Sequence, residues 1–274
     1  MHRRRPDRRS GIPRSHEPRD GAAGPSPGLL SPADTTEARE ERSMLDNMRV
    51  VDLTQPISSD TVMWPGAPGP TAEVILTVAH DGFYNRRISF MEHTGTHFDA
   101  PCHMVDGAIP LHEVDAGTLI RPGVVIDVSA EIDGDADGTL SLDQVHAFEA
   151  AHGRIPDGSI VLLRTGWEAF NRDPGRYAGA PGPLRFPGYG VDAARFLVEE
   201  RRAVGLGVDT LGIDPGSATD FPVHRQVSHP RGVWHLEGLT NLAALPATGF
   251  WLFVGVLNLQ DGSGSPARVL ALVA

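Results

Sequence analysis

Residues 93–103 read HTGTHFDAPCH, and this run limits the possible folds of the chain more than any other. Three imidazoles and a carboxylate sit within eleven positions, separated by a glycine, two threonines and a proline. His93 and His97 are four apart, a spacing that a helix would place on one face. Gly95 and Pro101 argue against a helix. The preceding RRISFMEH has strand character, so the expected path is a strand ending at His93 and a turn at Gly95. An extended segment then carries His97 and Asp99 on one side, and a bend at Pro101 returns His103 toward them. Neutral imidazole and carboxylate ligate Zn²⁺, Mn²⁺ or Fe²⁺, and three protein ligands leave a position for water. A surface loop that merely holds three histidines is the competing explanation, and the density of donors around Asp99 disfavours it.

The rest of the chain supplies the setting. Its 274 residues suffice for one large domain. All 24 basic residues are Arg, so no Schiff-base or P-loop lysine is available. A net charge of −11 makes nonspecific nucleic-acid binding a poor expectation. Cys102 is the only cysteine, which excludes intrachain disulfides and multi-cysteine zinc sites. No apolar run is long enough for a membrane span, and no apolar segment follows the N-terminal arginines as in a secretory signal. The expectation is a cytoplasmic protein without nucleic-acid or membrane partners.

Residues 1–45 are rich in Arg, Pro, Gly and Ser, a composition that buries too little to order itself. A dispensable tail is the simpler reading, and a basic arm for an anionic partner the sharper one. From residue 46 to 274 the pattern is that of one α/β domain. MRVVDLT, TAEVILTVAH and NRRISFMEH read as strands around a long loop, and GVVIDVS and SIVLLRT as further strands. Ser141, with Gln144 three residues on, starts a helix whose stripe is Leu142, Val145, Phe148 and Ala151, and Gly153 ends it. VDAARFLVEERRA (191–203) is a second amphipathic helix before the strand VGLGVDT. The last strand-like run is GFWLFVGVLNL. Strands exceed helices, yet two βαβ passages occur, near 123–165 and 159–208.

A second group of donors lies at residues 221–242, FPVHRQVSHPRGVWHLEGLTNL, with His224, His229, His235 and Glu237. It follows VDTLGIDPG, a strand running into a Gly/Pro loop, where α/β folds place chemistry. Other signals are weaker. DGDADG (133–138) opens like a calcium loop but has Gln144 where the bidentate glutamate belongs, so it reads as a solvated turn. Cys102 reads as a small packed thiol, and no GxSxG elbow is present.

HTGTHFDAPCH matches the His-x-Gly-Thr-His-x-Asp-x-Pro-x-His signature of the metal-dependent cyclase family, which includes bacterial kynurenine formamidases and isatin hydrolases. The blocks VVDLTQPISSDTVMWPG, GVVIDVS, VLLRTGW, FPGYG, VDTLGIDPG, PVHR, LEGLTNL and DGSGSPARV resemble family blocks in the same order. The resemblance implies a swivelling β/β/α fold and a site for one or two Zn²⁺ ions, with Mn²⁺ as the alternative. In the two-metal form, His93, His97 and Asp99 hold one ion. Asp99 bridges to a second ion on His224, and Glu237 touches both. His103 is then the proton donor and acceptor, although it could serve as another ligand. Trp64 lines the substrate pocket, although its Trp-Pro-Gly loop could be plain packing. His224 and Glu237 are thirteen apart, one more than in the formamidase pattern, so His229 or His235 stays open in place of His224, as does a single-ion site. The implied activity is hydrolysis of an amide-type C–N bond in a small molecule, with N-formylkynurenine the first named substrate and isatin-like lactams the alternative. A homodimer or homotetramer is implied as well. A metal-binding scaffold without catalysis is the reading from another class.

Overall fold

The apolar runs GVVID and IVLL do not alternate with polar residues, which is the pattern of parallel strands covered on both faces. The computed structural model, which describes residues 47–274, shows why. Its strands are β1 (Arg49–Asp52), β2 (Thr71–Leu76), β3 (Asn85–Ser89), β4 (His97–Asp99), β5 (Ile120–Asp127), β6 (Thr139–Leu140), β7 (Ile160–Arg164), β8 (Gly188–Tyr189), β9 (Gly205–Val208), β10 (Trp234–Glu237), β11 (Phe250–Val256) and β12 (Gly264–Val273). The main sheet has the order β1-β12-β11-β5-β7-β9-β10-β4, and β4 also pairs with β12. Strands β12, β11, β5, β7, β9, β10 and β4 therefore close into a barrel-like ring, with β1 on the outer part of β12. β5, β7, β9 and β10 run parallel, and the remaining ring pairs are antiparallel. This is the mixed α/β architecture expected from the sequence, and both βαβ passages are present.

Two cores follow from this closure. Val125, Ile160, Leu162, Trp234, Leu236, Leu252 and Val269 fill one face of the ring. Val124, Ile126, Val161, Leu163 and Leu206 point the other way, against helices α1 (Leu142–His152) and α2 (Val191–Arg195). α1 begins with the expected capping box: the Ser141 hydroxyl accepts from the Gln144 backbone, and the Gln144 side chain accepts from Ser141 N. Its buried residues are Val145 and Phe148; Ala151 is exposed. α2 does not continue as one α-helix to residue 203. It passes into a π-helical turn over Phe196–Glu200, after which the strand follows within a few residues. Gly205 has no side chain because the Trp234 ring occupies that space: a Cβ there would lie 2.4 Å from it.

Three expectations about strands need correction. β3 stops at Ser89 rather than at His93, because the Thr94 hydroxyl caps Met91 O at 2.7 Å and starts the turn early. The TAEVILTVAH strand ends at Leu76, and Val78–Asp81 forms a helical turn. β11 is not the last strand: β12, ten residues long, follows it. GSPARVLALV mixes Gly, Pro and Arg into its apolar run, and this hid its strand character. The acidic 133–138 segment is a turn in which Asp137 pairs with Arg185. The tail expected over residues 1–45 lies outside the described residues.

Candidate metal centre

β4 and β10 are antiparallel neighbours, with His97 opposite Glu237 and Asp99 opposite His235. Side chains alternate along a strand, so Phe98, Trp234 and Leu236 enter the core while His97, Asp99, His235 and Glu237 share the opposite face. Two turns fix this register. Gly95 and Gly238 both have positive φ, at 65° and 66°, and a Cβ on Gly238 would meet Gly95 O at 2.6 Å. Gln55 N donates to the Thr96 hydroxyl (3.0 Å), which donates to Gly238 O (2.6 Å), and so the signature threonine ties the two turns together.

His224 arrives from another element. It lies in the π-helical turn Val223–Ser228, whose first amides, Val223 N and His224 N, donate to the Asp214 carboxylate. The same carboxylate binds His224 Nδ1 at 2.6 Å. His224 Nε2 is left facing Asp99 Oδ2 (3.5 Å) and Glu237 Oε1 (3.4 Å). His97 is held in the same way. Its Nδ1–H donates to Gly95 O (2.9 Å), and its Nε2 faces Asp99 (3.2 Å) and Glu237 (3.4 Å). His93 bonds Ser263 Oγ through Nε2 (2.9 Å) and turns Nδ1 to Asp99 Oδ1 (2.6 Å), while Glu92 accepts from the Ser263 hydroxyl. Each of the three imidazoles thus has one nitrogen anchored and the other turned toward Asp99.

That arrangement fits a cation. Metal-bound histidines characteristically spend the second ring nitrogen on a carboxylate, carbonyl or hydroxyl, which sets tautomer and orientation. Asp99 Oδ2 is buried without a hydrogen-bond partner, the kind of orphan that a cation satisfies. Electrostatics agree. Burial opposes a charge on His97, yet the Asp99 and Glu237 carboxylates overrule it and push its pKa up to about 10. Burial and Asp99 would raise Glu237, yet His224 and His97 hold it down at about 2. Without an ion, the cluster balances two buried carboxylates with protons on the rings.

The remaining expected residues are all nearby. His103, in the short 3₁₀ turn Pro101–His103, lies against His93 with ring centroids 3.9 Å apart and the rings tilted by 35°. Burial pushes its pKa down, so it is neutral near pH 7. His229 and His235 pack behind His224 at 5.1 and 4.5 Å. His235 offers a donor atom within 4.8 Å of those of Asp99, His224 and Glu237, so it too lies within reach of an ion. His229 is pushed down to about 3 by burial and by His224, and both its ring nitrogens lack partners. Cys102 packs against the barrel core, its thiol toward Gly262 O at 3.5 Å.

A cavity of about 310 Å³ opens over this cluster, lined by His93, His97, His103, His224 and Glu237 on its polar floor. Trp64 forms part of its wall, with Phe186 and Phe221 at ring distances of 6.4 and 6.0 Å. Sequence reasoning singled out Trp64 but not Phe186, Phe221 or Leu211, since isolated apolar residues in loops carry no periodic signal. It also passed over Asp214 and Ser263, the anchors behind His224 and His93. Asp214 was legible only as a carboxylate in the Gly/Pro loop after a strand.

Comparison with known proteins agrees with the geometry. The family described as "Putative cyclase" matches residues 51–215. An isatin hydrolase of Roseibium aggregatum is 38% identical over 192 residues, covering 66% of this chain and 72% of that protein. A kynurenine formamidase of Bacillus mycoides is 27% identical over 221 residues, covering 80% and 95%. An isatin hydrolase crystallised with the product analogue thioisatinate superposes with a TM-score of 0.80 at 32% identity, covering 89% of this chain and 99% of the other. The chain belongs to the cyclase family, and it is a hydrolase with a site suited to a metal ion. Among the described residues, no helix is long and apolar enough to cross a membrane.

Proposed function

We propose that the protein hydrolyses the C–N bond of a small aromatic amide or lactam with the help of a divalent cation, Zn²⁺ or Mn²⁺. The observation that carries this reading is the convergence of His97, Asp99, His224 and Glu237, anchored from behind, on the floor of an aromatic-walled cavity. His93 and Asp99 with His97 would hold one ion. His224 and Glu237, with Asp99 between, would hold a second. A bound cation supplies Lewis-acid polarisation of the carbonyl and acidifies water. The rest falls to the chain. His103, kept neutral by burial, accepts the proton of the attacking water as the new C–O bond forms. It returns that proton to the nitrogen as the C–N bond breaks. Trp64, Phe186 and Phe221 bind the flat ring of the substrate.

Between the two named substrates, higher identity and a close structural match favour an isatin-like lactam over N-formylkynurenine. The test is turnover of both compounds by enzyme stripped with chelator and reloaded with Zn²⁺ or Mn²⁺. Ring opening of isatin that disappears on stripping and returns on reloading is the expected result. Stripped enzyme that keeps full activity would overturn the reading. Loaded enzyme that turns over neither compound would favour the scaffold alternative.

A further inference from the structure

His235 lies at the back of the cluster, fully buried and outside the cavity lining. Its surroundings repeat the pattern found at His93, His97 and His224. The Ser228 hydroxyl donates its one proton to Val223 O (2.9 Å), so toward His235 Nε2, 2.7 Å away, it can only accept. In the neutral ring Nε2 therefore carries the hydrogen, and Nδ1 keeps its lone pair. That Nδ1 is buried and has no hydrogen-bond partner, and a buried acceptor left this way calls for an explanation. The neighbours supply one. A donor atom of His235 lies within 4.8 Å of donor atoms of Asp99, His224 and Glu237. Strand register brings them together: His235 stands opposite Asp99 across β10 and β4, on the face that Glu237 shares.

His224 Nε2 is 3.5 Å from Asp99 and 3.4 Å from Glu237, about the spacing of tetrahedral ligands roughly 2.1 Å from Zn²⁺. The His224 and His235 rings meet edge to face, with centroids 4.5 Å apart. One π-helical turn sets both: Asp214 binds its first amides and orients His224, and Ser228 at its end orients His235. His229 is different. It stacks on His235 at 4.3 Å, and neither of its nitrogens has an anchor. Building on the metal-hydrolase reading above, we propose that His235 is a fourth protein ligand of the second cation, joining Asp99, His224 and Glu237 rather than replacing His224. Four protein donors close a tetrahedral site, as in structural zinc sites, whereas His93, His97 and Asp99 leave the first ion a position for water. The second ion is then the firmly held, supporting one, and the first is the one that meets substrate.

Zn²⁺ titration of the stripped full chain against a chelating competitor tests this. Two ions per chain are expected, one bound more tightly than the other. His235→Phe should weaken the tighter one by more than the roughly 10–100-fold that losing an outer anchor costs, and leave the other unchanged. His229→Phe, which keeps a stacked ring, should alter neither. A single ion per chain, two ions unaffected by His235→Phe, or a comparable loss in His229→Phe overturns the proposal and leaves the hydrolase reading standing. Protein that binds no cation sinks both. Should the His235 variant misfold, proton NMR of the unaltered protein saturated with Co²⁺ decides. An imidazole that ligates Co²⁺ carries a strongly shifted, exchangeable N–H proton, and one is expected for His235, in contact with the Ser228 side chain. An unshifted His235 N–H overturns the assignment.

Discussion

His103 and Asp214 show how differently two residues at one site can act. His103 faces the cavity beside the proposed cation ligands, and burial keeps its ring neutral, as the proposed proton acceptor must be. Replacing it with alanine is expected to lower kcat by about 10²–10⁴, the range of a lost general acid–base, with the metal content by elemental analysis unchanged. A parallel loss of metal would make it a ligand. Asp214 acts through His224, whose Nδ1 it holds at 2.6 Å while capping the turn that carries the ring. Asp214→Asn is expected to weaken cation affinity about 10–100-fold, the usual cost of losing such an anchor, with little change in kcat at saturating metal. Titration with a chelating competitor measures it; unaltered affinity would contradict this role.

At the scale of elements, the site depends on how closely β9, β10 and β4 pack. Gly205 on β9 and Trp234 on β10 are register partners in the parallel pair, and the indole ring fills the space where a Cβ would stand. Trp234 in turn lies against Phe98 of β4 at 5.0 Å between rings. Gly205→Ala forces this stack apart, and overpacking of this kind costs about 1–3 kcal/mol. A melting temperature lowered by roughly 2–4 °C per kcal/mol is expected from thermal unfolding. No drop would mean that β10 shifts freely, and then the His97–Glu237 register could not be rigid. The sequence foretold elements of this kind unevenly. The α1 cap was legible because Ser141 and Gln144 act within one turn. β12 was not, because Gly264, Pro266 and Arg268 break up its apolar run and its pairings with β1 and β4 are long-range.

For the whole molecule, the ion cluster ties folding to protons and metal. The folded state raises the His97 pKa from its ordinary 6.5 to about 10, so its contribution is complete below pH 6.5 and is lost as pH rises through 10. Glu237, held at about 2, contributes above its ordinary 4.5 and loses this as pH falls through 2. Chelated protein should therefore melt at lower temperature as pH is raised from 6.5 toward 10. Cation present at 100 times its Kd should restore about 2.7 kcal/mol, since an ion replaces the ring protons without needing them. Calorimetry with and without chelator checks both signs, and a pH-independent melt in chelator would contradict the proposed cluster. The sequence alone determined the donor types, the turn glycines and the bend after Asp99, because these are properties of a few consecutive residues. It could also nominate His224 and Glu237, and it preferred His224 to His229 or His235 only because PVHR is the better match to a family block. Only the tertiary structure shows His224 with one ring nitrogen anchored by Asp214 and the other turned to Asp99 and Glu237, while His229 has no anchor and His235 is held by Ser228 alone. Which imidazole reaches the carboxylates depends on the β4–β10 register, which joins residues more than a hundred positions apart, and on a loop path that Asp214 fixes only once the chain has folded around it.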